Sequence, residues 1–119
     1  MTRTTLALLA ATLLATTAQA RDFTRIRSED SFRQHIADRT LVDEFGGTLV
    51  FARNGGIGGR KDAHEVSGGW VWNRGALCAR TRLDGMVVET DCKLLYVLDD
   101  MVVMQQKRGA SSQENWRLR

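Results

Sequence analysis

The sequence predicts a mainly β domain of the α+β class, with one N-terminal helix followed by an antiparallel β-meander that forms a small barrel or sandwich. Three observations predict this fold. From Leu41 onward, short β-prone runs alternate with turns built from glycine, asparagine and aspartate. Only one segment, just before Leu41, combines helical spacing with a capping residue. The two cysteines of the chain predict one disulfide within the meander.

The helix is predicted from Ser28 to Asp38. Ser28 is a favourable N-cap, and the acidic residues that follow it lie in the first turn, beside the unpaired backbone amide groups. Phe32 and Ile36 are four residues apart and therefore share one face. We expect this face to pack against the rest of the domain.

The strands are predicted from seven short β-prone runs separated by turn residues: Thr48–Arg53, Glu65–Ser67, Trp70–Asn73, Ala76–Leu83, Val87–Leu98, Met101–Lys107 and Asn115–Leu118. The glycine-rich run from Arg53 to Arg60 is predicted to be a flexible hairpin loop. It has only a superficial similarity to a dinucleotide-binding glycine loop, because no helix-forming run follows it.

Cys78 and Cys92 are predicted to form a structural disulfide, because the cysteine count is even and the first twenty residues have the composition of an export signal, a combination typical of disulfides in small domains. A zinc site would need two further ligands, and the two histidines are distant in sequence. A three-residue loop at 84–86 would pair Leu83 with Val87 and place Cys78 opposite Cys92. A two-residue loop at 84–85 would place Cys78 opposite Asp91 instead. The disulfide therefore favours the three-residue loop.

The first twenty residues have the features of a cleavable export signal. Arg3 supplies the positive charge, Leu6 to Ala15 form the apolar core, and Ala18-Gln19-Ala20 match the pattern that signal peptidase cuts. We therefore expect a signal peptide at residues 1–20 and a single small β-rich domain at 21–119. The alternative, a membrane anchor, is disfavoured by the cleavage pattern. The expected location is periplasmic or secreted, with no stable membrane insertion after cleavage.

The charge balance does not indicate a nucleic-acid partner. The chain has a formal net charge of +3, but its basic residues are scattered, and acidic residues such as Asp43, Glu65 and Glu89 lie among them. A nucleic-acid surface would need clustered Lys and Arg interleaved with aromatic residues. The sequence instead indicates a solvated surface of mixed sign.

No motif for catalysis, metal binding or cofactor binding occurs, so no catalytic residue, metal or cofactor is predicted. The best binding candidates are Trp70, Trp72, Arg80 and Arg82. If they share an exposed face, arginine offers planar two-pronged donors and tryptophan a stacking surface for an anionic or sugar-like group. The alternative is that the tryptophans belong to the core and the arginines to a charged outer face.

Several motifs match a known pattern: a capped Phe-containing helix at Ser28 to Ile36, Arg39-Thr40-Leu41, Asn54-Gly55-x-Ile57-x-Gly59, Gly69-Trp70-Val71-Trp72-Asn73-Arg74-Gly75-Ala76-Leu77-Cys78, Asp91-Cys92 and Arg117-Leu118. From Arg27 to its end the chain resembles a group of small, uncharacterised, exported proteins of alphaproteobacteria. The resemblance implies a small β domain framed by the tryptophan and cysteine motifs. It implies no activity, because none is established for the group.

Three functions remain open from the sequence. The first is an interaction module of the cell envelope that recognises a protein, a glycan or a small ligand. The second is a carrier of a small apolar ligand inside a closed barrel, with lining residues Leu77, Leu83, Val87, Leu95 and Val102. The third, an enzyme, ranks last because His35 or His64 would have to converge with a carboxylate or hydroxyl group.

Overall fold

A computed structural model of the protein describes residues 22–108 and 112–119. The predicted export signal at residues 1–20 lies outside them. The elements, in chain order, are β1 (Thr24–Ile26), α1 (Glu29–His35), β2 (Thr40–Val42), β3 (Thr48–Phe51), β4 (Gly56–Lys61), β5 (His64–Asn73), β6 (Ala76–Leu83), β7 (Met86–Leu98), β8 (Met101–Gln106) and β9 (Gln113–Leu118). The predicted mainly β, antiparallel fold is confirmed.

Strands β2 to β9 form a closed antiparallel barrel of eight strands. Each strand from β2 to β8 pairs with the strand that follows it in the sequence. The last strand, β9, also pairs with β2, and this pairing closes the sheet. This closure decides between the two architectures that the sequence left open, a barrel and a sandwich. Closing the sheet also removes most of the exposed strand edges that an open sheet would present.

The prediction that the helix is the first element is wrong, because β1 precedes it. β1 pairs with the end of β7, with Thr24 opposite Val97. It lies on the same side of β7 as β6, which pairs with the earlier part of that strand. A three-residue strand carries too little alternation to be recognised in a sequence. The predicted N-cap is confirmed, since Oγ of Ser28 accepts a hydrogen bond from the N–H of Ser31 at 3.1 Å. The helix ends at His35, three residues before the predicted end.

The glycine-rich run predicted as a flexible loop is strand β4, and Gly68 lies inside β5 rather than in a turn. Gly59 and Gly68 have φ angles of 143° and 149°. A Cβ atom on either would collide with the carbonyl oxygen of a neighbouring strand, Thr48 for Gly59 and Arg80 for Gly68. These glycines therefore permit a close strand contact, whereas in the sequence they resemble turn residues.

The β6–β7 hairpin pairs Cys78 with Cys92, but not through the predicted loop. Leu83 pairs with Met86, so the turn has two residues, Asp84 and Gly85, with φ angles of 48° and 83°. Positive φ at both positions is typical of the type I′ turn that suits a two-residue hairpin. A register shift after Thr81, where β7 has one extra residue, then brings the two cysteines opposite each other. The disulfide prediction is confirmed, and the loop prediction is wrong.

The core fills the barrel and extends to the helix. Phe32 of α1 is completely buried, and its ring lies 4.8 Å from the ring of Trp70, 5.5 Å from that of Trp72 and 5.9 Å from that of Phe51. The helix thus covers the end of the barrel where β3 and β5 finish. No helix in the described part of the chain is long and apolar enough to cross a membrane.

Candidate binding site

Strand alternation separates the four predicted surface residues. Trp70 is only 5% exposed, and its indole N–H donates a hydrogen bond to the carbonyl of Ala52 at 2.8 Å. Trp72 is half-buried and stacks on Phe32. Arg80 and Arg82 are two residues apart on β6 and face the outside, as Cys78 does. The tryptophans therefore support the core, and they do not share a face with the arginines.

Arg80 instead borders an open concavity of about 940 Å³ on the outer face of the barrel. The Cys78–Cys92 disulfide and Val71, which is 63% exposed, contribute apolar surface to it. The basic residues around it come from three separate parts of the chain: Arg74 in the β5–β6 turn, Arg80 on β6, and Lys107 and Arg108 after β8.

These four basic side chains form no ion pair with any carboxylate of the described residues. Some basic residues elsewhere have acidic partners, while others, such as Arg60 and Lys61, have no ion pair within the described residues either. Arg33 lies 3.8 Å from Glu29, and Arg53 lies 3.3 Å from Asp38. The concavity differs in that four basic side chains without an ion pair among the described residues surround one space, an arrangement that attracts anions.

One acidic residue, Asp91, is also among the lining residues, but alternation with Cys92 directs its side chain to the inner face of β7. Its Oδ1 accepts a hydrogen bond from the backbone N–H of Cys92 at 2.7 Å, which holds the side chain against β7. Its Oδ2 is buried and has no hydrogen-bond partner among the described residues. Because the four cations outnumber this single anion, the lining keeps a positive net charge.

Two glycines leave the surface of the sheet beside Arg80 without side chains. In the row of paired residues across the sheet, Arg80 lies opposite Gly69, which lies opposite Gly56. A Cβ atom at Gly69 would only touch the carbonyl oxygen of Gly55 at 3.5 Å, an ordinary contact. The fold therefore does not require glycine at this position. Because Gly69 has no side chain, its backbone is accessible to a bound group.

The barrel interior contains a second, smaller site at the end opposite the helix. Nζ of Lys93 lies 2.7 Å from Oε1 of Glu89 and 3.0 Å from Oε1 of Glu114, and its side chain is 15% exposed. Burial alone would lower the pKa of Lys93. The hydrogen bonds and charges of the two glutamates outweigh this effect and hold the pKa above its usual value of 10.5. Lys93 is therefore charged and already paired.

The space beside Lys93 does not favour the carrier hypothesis. Its volume is about 100 Å³, whereas pockets for small organic ligands usually measure roughly 300–1,000 Å³. Leu77, Leu95 and Val102, proposed as lining residues, are buried in the packed core. Val87 is 44% exposed and lies at the tip of the β6–β7 hairpin.

The two histidines do not converge. His35 is exposed in the last turn of α1, while Nδ1 of His64 lies 2.6 Å from Oδ2 of Asp84 between two hairpin turns. The hydrogen bond from His64, and then that from the N–H of Glu65, lower the pKa of Asp84. Within residues 22–108 and 112–119, no group of His, Cys, Asp or Glu side chains is arranged to hold a metal ion.

The sequence reasoning missed Arg74, Lys107 and Arg108. Each follows a strand in a turn or bend, where a basic residue is ordinary, and only the barrel brings them to the same side as Arg80. In comparisons with known proteins, no family model, curated protein or solved structure matches the chain. The function is therefore inferred from the geometry of the site.

Proposed function

We propose that the protein is a binding module of the cell envelope, exported to the periplasm or beyond, and that its outer concavity binds an anionic group of the partner. The observation that carries this proposal is the set of four basic side chains around one concavity, none of which forms an ion pair within residues 22–108 and 112–119. A disulfide at the same place keeps β6 and β7 in fixed register. The predicted export signal and the resemblance to exported β-domain proteins are consistent with an oxidising compartment.

The residue types favour carboxylate or phosphate as the bound group. Arg74, Arg80 and Arg108 offer planar guanidinium groups that bind such anions through two parallel hydrogen bonds. Lys107 adds a compact charge, and the exposed backbone at Gly69 allows close approach. A protein, a glycan or a small molecule with one of these groups would satisfy the site.

The test is a titration with citrate and, separately, with tripolyphosphate at low salt, followed by backbone amide NMR shifts. We expect the largest shifts at Gly69 and Arg80. The variant Arg80→Gln should bind at least about tenfold more weakly, because a hydrogen bond to a charged group contributes about 1.5–3 kcal/mol. Arg119→Gln is the matched control, because Arg119 is exposed, its backbone N–H bonds to Thr40 of β2 on the side of the barrel opposite β6, and the change in net charge is the same.

Two results would contradict the proposal. One is a set of small shifts spread over the whole surface, which would indicate only weak, non-specific attraction to the net charge. The other is an equal loss of binding in Arg119→Gln and Arg80→Gln. The export part is tested separately by the intact mass of the protein recovered from the envelope, which should correspond to cleavage after Ala20 with two hydrogens missing for the disulfide. An uncleaved mass would refute export by this signal.

A further inference from the structure

The barrel leaves part of one strand without a neighbour, next to the basic concavity. On one side, β7 pairs with β6 along residues 86–93 and with β1 along 95–97. On the other side it pairs with β8 only along 93–98. The six residues Met86–Asp91 therefore have no strand partner on that side among the described residues. They would extend for about 20 Å at ~3.4 Å per residue.

The hydrogen-bond pattern places Thr90 at the start of this free edge. The Cα atoms of Cys78 and Cys92 are 3.9 Å apart, the short separation of a non-hydrogen-bonded pair, and alternation gives Thr90 and Arg80 the same type of pairing. The N–H and C=O of Thr90 therefore point away from β6. The N–H of Lys107 donates to the carbonyl of Cys92 at 3.1 Å, so the pairing with β8 stops one step before Thr90 is reached.

We propose that the anionic partner is an extended segment of another protein, which adds to the barrel as a strand along the free edge of β7. This inference rests on the proposed function and names its partner class. Strand addition is a common way in which an exposed sheet edge recognises a peptide. Lys107 and Arg108 lie where β8 leaves the edge, so the incoming strand would end against two positive charges.

The two faces of the sheet set the pattern of the incoming segment. On the outer face, Arg80 lies beside Thr90, whose side chain is short, so an acidic side chain on the added strand can reach the guanidinium group. The inner face carries the carboxylates of Glu89 and Asp91, which would repel a second acid there. The preferred segment therefore alternates acidic and uncharged residues.

A second copy of this chain is a poorer occupant of the edge. Antiparallel pairing of two β7 edges would bring Glu89 and Asp91 of one copy close to the same residues of the other, and like charges at paired positions are destabilising. The extra residue of β7 at Val88 also bends the strand, a feature that discourages pairing between flat edges. A separate segment with uncharged residues on its inner face avoids this like-charge pairing, and a short chain follows the bend at Val88 more easily than a second folded barrel does.

The first experiment uses a short capped peptide in which glutamate alternates with valine, labelled for fluorescence anisotropy. A second peptide has the same side chains but methylated backbone nitrogens on the edge that would face β7. We expect the methylated peptide to bind at least about tenfold more weakly, because ladder hydrogen bonds of about 0.5–1.5 kcal/mol each are lost. Equal binding of the two peptides would refute strand addition while leaving the anion site intact.

The second experiment changes the protein. Thr90→Pro removes the N–H that is directed to the free edge, a position at which proline is tolerated in edge strands. Thr90→Ala is the control that keeps this N–H. The proline variant should lose peptide binding and keep citrate binding, and the alanine variant should keep both. If the wild-type protein does not bind citrate, the proposed function itself is refuted. If Thr90→Pro binds the peptide as well as the wild-type protein does, only the strand addition is refuted.

Amide hydrogen exchange provides a readout that does not depend on any variant folding. In the free protein the Thr90 amide should exchange much faster than the amides of β7 that bond to β6. Adding the alternating peptide should slow its exchange by at least about tenfold, as pairing with a strand protects an amide. Strong protection of Thr90 in the free protein would mean that the edge is already covered and would overturn the inference.

Discussion

Replacing Phe32 with alanine tests whether the short helix is an integral part of the barrel. Phe32 is completely buried, and its ring contacts those of Phe51, Trp70 and Trp72. Truncating a buried phenylalanine costs about 3–5 kcal/mol through lost burial and the remaining cavity. A domain of this size has a total stability of only about 5–15 kcal/mol. The Phe32→Ala variant should therefore lose a third or more of its free energy of unfolding.

The assay is urea unfolding followed by tryptophan fluorescence, since two of the contacted rings are indoles. With a slope of about 2 kcal/mol per molar urea, a loss of 4 kcal/mol moves the midpoint by roughly 2 M. Phe45→Ala is the matched control, because Phe45 is 83% exposed and its truncation should cost less than about 0.5 kcal/mol. A loss below about 1 kcal/mol for Phe32→Ala, or equal losses for the two variants, would refute the packing of α1 against the barrel.

Three further predictions concern the disulfide, two glycines of β4 and the exposed ion pair of His64 with Asp84. Reducing the disulfide, which spans 14 residues, should cost about 3 kcal/mol in the chain-entropy model; thermal unfolding with and without reductant measures this, and an unchanged midpoint would contradict it. Gly59→Ala should cost more than about 2 kcal/mol, whereas Gly58→Ala, where a Cβ atom would meet nothing within 4 Å, should be neutral or stabilising by up to about 1 kcal/mol. Equal effects of the two in urea unfolding would disprove the role of the backbone conformation. His64→Gln should raise the pKa of Asp84 towards 3.8, measured by carboxyl NMR. Because that pKa is lowered in the folded protein, the stability linked to it is present above pH 3.8 and is lost as the pH falls through the folded value. No change in the titration would contradict the contribution of the His64 hydrogen bond.

Local chemistry explains which elements could be predicted. The N-cap at Ser28 and the strands β6, β7 and β8 have strong signals within a few residues, and the structure contains them close to the predicted bounds. β4 was misread, because glycine is a turn residue in most contexts and here serves a close approach of strands. The two-residue turn of the β6–β7 hairpin was also missed, since the compensating bulge near Thr81 has no signature in a single sequence.

In the binding site, too, some residues could be predicted from local sequence and others could not. The candidate arginines were found because arginine two residues apart on a strand faces one side, and Arg80 does border the concavity. The tryptophans were grouped with them by composition, yet their large apolar area is buried against Phe32. Arg74, Lys107 and Arg108 could not be assigned to the site, because their proximity depends on how distant strands pair.

The sequence by itself determined the class of the fold, the capped helix and the pairing of the cysteines. These follow from alternation, capping and cysteine count, which act over short stretches of chain or are independent of the fold. Only the tertiary structure decided that the sheet closes, that the interior is filled, and that four basic residues surround one concavity beside a free strand edge. Closure and convergence depend on contacts between residues far apart in the chain, and no local pattern specifies them.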